Sequence, residues 1–250
     1  MRRYKIFTYL RDPKIDNTLT AMAQKEEKGE QIVEGVEVAL ANTGNYFEKH
    51  KSLIIGVVVA IVVIVVGYFG YKYLYLAPKE KTAAAEMFYA QRYFELDSLE
   101  VALNGDGQHA GMLEIADSYG ATKSGKLANY YAGLAYLHLG NFEEAVHYIK
   151  KFNTKDPVLF VLSNQALGDA YLEMDQAEKA VAAYAKAASK YASDALTPGV
   201  MMRQAMVQES LQQYEKALQT YQQIRRRFPM SREAAEIDRY IARMNAKLGK

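Results

Sequence analysis

Cysteine is absent from this 250-residue chain. Its absence excludes a disulfide framework, thiolate zinc sites, a thiol nucleophile and a cysteine-linked lipid anchor. A strong net charge is also absent, because 31 Lys and Arg residues stand against 29 Asp and Glu residues. Nucleic-acid-binding proteins usually carry a concentrated basic excess, so we expect no nucleic-acid partner. The balance is uneven along the chain, with 11 basic and 16 acidic residues in 77–199 but 10 and 5 in 200–250.

Patterns for catalysis and metal binding are lacking as well. The four histidines, His50, His109, His138 and His147, show no metal-ligand spacing. The glycine-rich segment 104–111 lacks the Lys-Ser/Thr pair of a phosphate loop and the spaced carboxylates of a calcium loop. We interpret this segment as a turn between helices. The sequence therefore predicts a protein that is not an enzyme and uses no cofactor, metal or small-molecule substrate.

One long apolar run interrupts this balanced composition. Residues 52–71 contain no charged side chain, and twelve of these twenty residues are Leu, Ile or Val. A helix of this length spans roughly 30 Å, the thickness of the hydrocarbon core of a bilayer. The aliphatic residues contribute on the order of −4 to −7 kcal/mol to insertion. We predict an uncleaved transmembrane helix over 52–76, but the flanking lysines do not determine its orientation.

The segment before this run, residues 1–51, is too short and too charged to form a core of its own. Ile32, Val36 and Leu40 recur at helical spacing and predict an amphipathic helix over 31–51. For the basic and aromatic first eleven residues three interpretations stay open. They bind an anionic membrane surface, form a disordered tail, or precede a true initiator at Met22.

After the apolar run, we find no β alternation, and alanine-rich helical windows recur at a nearly fixed period. Gly133 and Gly168 are 35 residues apart, and Ala205 follows Gly168 by 37. Small residues at these positions let two helices approach closely. In the second half of each window, small residues recur at Ala145, Ala180 and Ala217. The pattern predicts stacked helical hairpins.

This pattern resembles the tetratricopeptide repeat, a helix–turn–helix unit of 34 residues. The resemblance implies an all-α fold, in which a single transmembrane helix precedes an α-solenoid of such hairpins over 77–250. We place repeats at 126–159, 161–194 and 198–231, and a capping helix at 231–248. Residues 83–103 and 112–119 are expected to form a degenerate earlier hairpin.

The resemblance also implies where partners bind, because repeat arrays of this kind use the concave face formed by the first helix of each unit. Apolar side chains dominate the positions of this sequence that match the family's groove positions. Some repeats of this family hold the acidic C-termini of chaperones with a clamp of lysine and asparagine, and that clamp is missing here. The predicted protein-binding groove consists of Leu127, Tyr130, Leu134, Leu137, Gln165, Asp169, Leu172, Met202 and Met206.

The order of parts, together with Tyr46 to Lys51 entering the apolar run and Lys72 and Tyr73 leaving it, resembles the ancillary subunit of the bacterial Sec translocon. This resemblance implies a single-pass protein of the bacterial inner membrane, with a cytoplasmic N-terminus and periplasmic repeats. Its partners would be Sec translocon subunits, an unfolded polypeptide or a membrane-anchored chaperone. The alternative is a structural adaptor for cell-envelope or cell-division assembly that binds a dedicated folded partner.

Overall fold

The computed structural model describes residues 50–53, 55–191 and 193–250. The predicted N-terminal segment 1–51, with its amphipathic helix, lies outside them except for His50 and Lys51. Within the described residues all regular structure is helical, and the single β pairing there is an isolated bridge between Gly105 and Ala110. The all-α prediction is therefore confirmed for this part of the chain. The chain divides into two units, Met1–Phe69 and Gly70–Lys250.

The described residues of the first unit are helical and apolar. They belong to a helix over His50–Glu95 that contains a stretch long and apolar enough to cross a membrane. No residue of that stretch is buried, and Ile64 is 70% exposed. Exposed aliphatic surface of this extent is unfavourable in water. Length and composition thus favour a lipid environment, and the membrane span stays a prediction.

The second unit begins with a π-helical turn, Tyr71–Leu76. Ten α-helices follow among the residues that the structure describes. They are α1 Ala77–Glu95, α2 Leu99–Asn104, α3 Met112–Ser118, α4 Lys123–His138, α5 Phe142–Lys151, α6 Pro157–Glu173, α7 Ala177–Lys190, α8 Thr197–Ser210, α9 Tyr214–Arg227 and α10 Ile237–Lys247.

Four of the connections have the same backbone conformation. Each contains one residue in the left-handed region, with φ of 58° at Asp97, 77° at Gly140, 57° at Asp175 and 58° at Gln212. In each turn the amide of the next residue donates to a carbonyl five residues back, as Gln176 N does to Tyr171 O at 2.9 Å. This is the Schellman arrangement, which satisfies carbonyls at a helix end and reverses the chain. It joins α1 to α2, α4 to α5, α6 to α7 and α8 to α9.

The two helices of a hairpin pack closely at a glycine. A Cβ on Gly133 would collide with the side chain of Ile149, and one on Gly168 would collide with the ring of Tyr184. Both neighbours are almost fully buried, with Ile149 3% and Tyr184 1% exposed. The close approach that the sequence predicts at Gly133 and Gly168 is therefore present, and each glycine admits one large side chain of its partner helix.

The first hairpin differs from the expected single helix over 83–103. The helix ends at Glu95, because Asp97 adopts a left-handed φ and the Ser98 amide donates to Tyr93 O at 2.9 Å. The short helix α2 is therefore the second arm of this hairpin, and α3 is an additional helix. Both α2 and α3 pack against α4.

The segment 104–111 forms a loop between α2 and α3, as predicted. Asp106 Oδ1 accepts from the amides of Gln108 at 2.8 Å and His109 at 2.7 Å. Its other oxygen accepts from Tyr93 Oη at 2.8 Å and lies 2.9 Å from His109 Nδ1. These bonds, led by that to the His109 ring, hold the pKa of Asp106 well below its usual range. The loop is thereby attached to α1.

At the C-terminal end, the expected capping helix over 231–248 is divided. A 3₁₀ turn, Glu233–Glu236, precedes α10. Ser231 Oγ accepts from the Ala234 amide at 3.2 Å, so this serine caps the 3₁₀ turn. Ile237, Ile241 and Met244 of α10 are buried against α9 and close the core.

Candidate functional site

The first helices of the three predicted repeats are α4, α6 and α8, and we call the surface that they form with α10 the first-helix face. The predicted groove residues differ in exposure along this face. Leu172 and Met206 are exposed at 40% and 43%. Tyr130 is buried. The other predicted residues are partly buried, namely Leu127, Leu134, Leu137, Gln165, Asp169 and Met202.

Tyr130 is 6% exposed and stacks on Phe152, with 5.2 Å between ring centroids. Burial raises the pKa of its phenol to about 12. Leu127 and Leu137 also pack against the buried clusters beneath the face. These three side chains contribute mainly to packing, so the most exposed part of the predicted groove lies on α6 and α8, at Leu172 and Met206.

Asp169 of α6 connects two neighbouring hairpins. Its Oδ1 accepts from Tyr184 Oη at 2.6 Å and lies 3.4 Å from Arg203 Nη1 of α8. Tyr184 is almost fully buried whereas the Arg203 side chain is 54% exposed. Burial, and then the bond to Asp169, raise the pKa of Tyr184. The carboxylate therefore satisfies a buried hydroxyl and also presents an ion pair at the surface.

Glu209 of α8 repeats this arrangement one unit later. Its Oε2 accepts from Tyr221 Oη at 3.3 Å and from Arg243 Nη2 of α10 at 2.7 Å. Burial raises the pKa of Tyr221, and the charge of Glu209 raises it further. We call the residues Asp169, Tyr184, Arg203, Glu209, Tyr221 and Arg243 the carboxylate–arginine ladder.

Sequence reasoning missed the two arginines of this ladder. A signal for them exists, because Arg203 follows Asp169 by 34 residues and Arg243 follows Glu209 by 34 residues. That separation is close to one repeat length, so each pair places opposite charges on neighbouring helices of the first-helix face, α6 with α8 and α8 with α10. Asp169 is among the predicted groove residues, but the arginine partners require the repeat length to be applied to charged residues as well as to small ones.

Apolar side chains lie directly beside the ladder. Leu172 follows Asp169 by three residues and Met206 follows Arg203 by three, so each shares a helix face with a ladder residue. Met206 and Glu209 also line an open cavity of about 390 Å³, together with Ser210, Tyr214, Arg243 and Lys247. The first-helix face thus offers an apolar contact next to fixed charges. Among the described residues no cluster of His, Asp and Glu could hold a metal ion.

Comparison with known proteins identifies the repeat. Family models described as tetratricopeptide repeat match residues 128–154, 162–189 and 200–231. These segments lie inside the predicted repeats 126–159, 161–194 and 198–231. No curated protein matches the chain. A solved structure titled "Crystal structure of MamA protein" is similar with a TM-score of 0.48 and 16% identity, over 68% of this chain and 93% of that one. The family models confirm the repeat prediction for these three segments. Residues 128–231 therefore contain tetratricopeptide repeats, which indicates a protein–protein interaction module.

Proposed function

We propose that this protein is a single-pass protein of the bacterial inner membrane whose periplasmic repeats bind polypeptide segments beside the Sec translocon. In this role it holds emerging chains or recruits a membrane-anchored chaperone to the channel. The N-terminus is cytoplasmic in this proposal. Neither a cofactor nor a small-molecule substrate is part of it.

The apolar helix supports the membrane part of the proposal. The charge-free run 52–71 is about as long as a bilayer core is thick, and its aliphatic side chains from Leu53 to Val66 are exposed where the structure describes them. The exposed Tyr71, Tyr73 and Tyr75 lie at the end of this run. Tyrosines are enriched where a membrane helix meets the headgroup region. Lys72 and Lys79 accompany these rings, with Lys79 Nζ 4.6 Å from the centroid of Tyr75.

The observation that carries the binding role is the exposure of Leu172 and Met206 on the first-helix face. Methionine is flexible and polarisable, so a surface that includes it adapts to apolar segments of different shape. The neighbouring ladder supplies arginine donors for the carbonyls or carboxylates of an extended chain. A mixed surface of this kind suits many clients, which is the requirement for a holdase.

The structural adaptor for cell-envelope or cell-division assembly is the second candidate. The ladder favours it, because charges held by Tyr184 and Tyr221 have a fixed arrangement that matches one folded partner better than many. Photo-crosslinkers at positions 172 and 206 separate the two roles, with Met230, 95% exposed in the turn after α9, as a control position. Many heterogeneous nascent chains support the Sec role, and one stoichiometric partner supports the adaptor.

A paired substitution tests whether the first-helix face binds clients. Leu172→Glu with Met206→Glu should reduce suppression of aggregation of an unfolded client, because two charges replace the apolar contact. The matched control is Leu96→Glu with Met230→Glu, which charges two apolar side chains that are also exposed, at 63% and 95%, and that lie in turns outside the helices. Equal activity of the two double variants would contradict the proposed binding face.

Topology has its own test. A protease added to intact cells with a permeabilised outer membrane should digest the repeats, because the proposal places them in the periplasm. Resistance of the repeat domain until the inner membrane is also opened would reject both the orientation and the Sec role.

A further inference from the structure

A recessed cavity of about 110 Å³ lies away from the exposed residues of the first-helix face, between the end of α5, the loop that follows it, and the facing sides of α6 and α7. Its lining combines basic, polar and aromatic side chains, among them Lys150, Thr154, Phe160, Asn164 and Lys186. Neither Leu172 nor Met206 contributes to it. The proposed function leaves this cavity unused.

Two lysines place positive charge at the cavity. Lys186 Nζ lies 6.0 Å from the centroid of the Phe160 ring, and Lys150 Nζ lies 5.4 Å from that of Tyr171. Neither forms an ion pair with a carboxylate in the part of the chain that the structure describes. An ammonium group has three N–H donors, and a ring face satisfies none of them as a carboxylate would. Both lysines therefore retain donors for an external anion.

The surrounding loop does not neutralise this charge. Its one carboxylate, Asp156, accepts from the Leu159 amide at 2.9 Å and caps the N-terminus of α6. Lys151 and Lys155 lie in the same segment and are exposed. Lys190 adds a further ammonium 5.3 Å from the Phe160 ring. The cavity is thus basic on balance, although residues 77–199 as a whole are acidic.

Polar groups inside the cavity supplement the lysines. Thr154 Oγ1 accepts from the Asp156 amide at 3.0 Å, which leaves its own proton to donate. Asn164 is 6% exposed, and its Nδ2 donates to Phe160 O at 2.8 Å, so its second N–H remains. Phe160, Ile149 and Leu167 give the cavity an apolar wall beside these donors.

We propose that this cavity binds a glutamate side chain from an acidic segment of a partner protein, as a second binding site separate from the exposed first-helix residues. The two methylene groups of the glutamate lie against Phe160, and its carboxylate lies between the lysine ammonium groups and Thr154. The recessed shape of the cavity favours a protein partner over a membrane surface. A flat layer of anionic headgroups would contact the lysines but leave the apolar wall unfilled.

The test uses the full chain in nanodiscs of neutral phosphatidylcholine and a fluorescent peptide of six glutamates, with a peptide of six glutamines as reference. We expect saturable binding of the acidic peptide only. Lys150→Gln with Lys186→Gln should weaken it by about tenfold or more, as expected for loss of directly contacting charges. The control Lys123→Gln with Lys216→Gln removes the same charge at exposed positions outside the cavity and should leave the affinity within about twofold.

A second variant separates a formed site from general attraction. Thr154→Val keeps the net charge and should weaken binding of the acidic peptide severalfold. Thr82→Val makes the same change on α1, outside the cavity, and should leave the affinity unchanged. Equal losses in the two lysine double variants, or full affinity in Thr154→Val, would overturn the proposal. So would an absence of peptide binding while phosphatidylglycerol vesicles bind through Lys150 and Lys186.

Discussion

The phenolic oxygen of Tyr184 lies 2.6 Å from Oδ1 of Asp169, so a buried side chain of α7 donates to a carboxylate on the first-helix face. Tyr221 and Glu209 form the corresponding pair in the next hairpin. Because each carboxylate also meets an arginine of the following first helix, one residue serves the core and the surface together. The packing of a hairpin and the charge pattern of its binding face are therefore coupled.

This coupling predicts unequal effects at the two ends of one ion pair. Asp169→Ala leaves the buried Tyr184 hydroxyl without its acceptor and should lower the free energy of unfolding by about 1–3 kcal/mol. Arg203→Ala removes an exposed partner at 3.4 Å and should lower it by less than about 1 kcal/mol. Denaturant unfolding of the full chain in detergent, followed by circular dichroism, measures both. Equal losses would contradict the assigned role of Asp169.

The contact between Gly168 and Tyr184 predicts the effect of one added methyl group. Gly168→Ala forces Cβ into a ring that is 1% exposed, and overpacking of this kind destabilises by about 1–3 kcal/mol. Gly199→Ala is the matched control, because its Cβ would meet only Glu233 Oε1 at 3.4 Å. This control should be neutral or stabilising by up to about 1 kcal/mol, since alanine favours a helix. Thermal unfolding measures the stability of both variants. A Gly168→Ala variant as stable as the wild type would refute the predicted overpacking.

The shared turn conformation predicts opposite effects of exchanging glycine and glutamine. Gln212 has a φ of 58° and Gly140 a φ of 77°, and a left-handed conformation costs a non-glycine residue roughly 1–2 kcal/mol. Gln212→Gly should therefore raise the stability by about 0.5–1 kcal/mol, after the loss of chain entropy is included. Gly140→Gln should lower it. Stability changes of the same sign in the two variants would show that the turns differ.

Burial of Tyr130 predicts a loss of stability at high pH. Its folded pKa is about 12, whereas an unfolded tyrosine titrates near about 10. The phenol is protonated in both states below pH ~10, so its stabilising contribution is complete there and is lost as pH rises toward the folded value. Tyr130→Phe should show a shallower decline in unfolding free energy between pH 9.5 and 12 (roughly the titration window of the unfolded group). An unchanged decline would indicate that Tyr130 is accessible.

The repeat architecture was predictable because its signals are local and recur. Gly133 and Gly168 each mark a place where only a hydrogen atom fits between two helices, and such positions can be recognised from spacing alone. The break at Asp97 was not predictable in the same way, because aspartate occupies the left-handed position that glycine occupies at Gly140. Without a glycine or proline as a signal, the sequence predicts one helix that continues to Leu103.

The binding face was predictable in part. The positions of Leu172 and Met206 follow from the repeat register, and both side chains are exposed. Tyr130 has the same register position as Gln165 and Met202, three residues before the small residue of each unit, yet its ring is covered by Phe152 from the loop after α5. That contact depends on where a loop side chain points, which periodicity does not specify. The same reason explains why the cavity at Lys150 and Lys186 could not be anticipated.

The two arginine–carboxylate pairs also connect neighbouring helices in a way that depends on salt. Each ties one first helix to the next at a separation of 34 residues, and the arginines are about half exposed. Attraction between such charges weakens as salt rises, because the screening length falls to about 8 Å at physiological ionic strength and about 3 Å at 1 M. Rising ionic strength should therefore weaken the connection of α6 to α8 and of α8 to α10. A looser connection would change the spacing of neighbouring helices on the first-helix face without any change in the hydrophobic core.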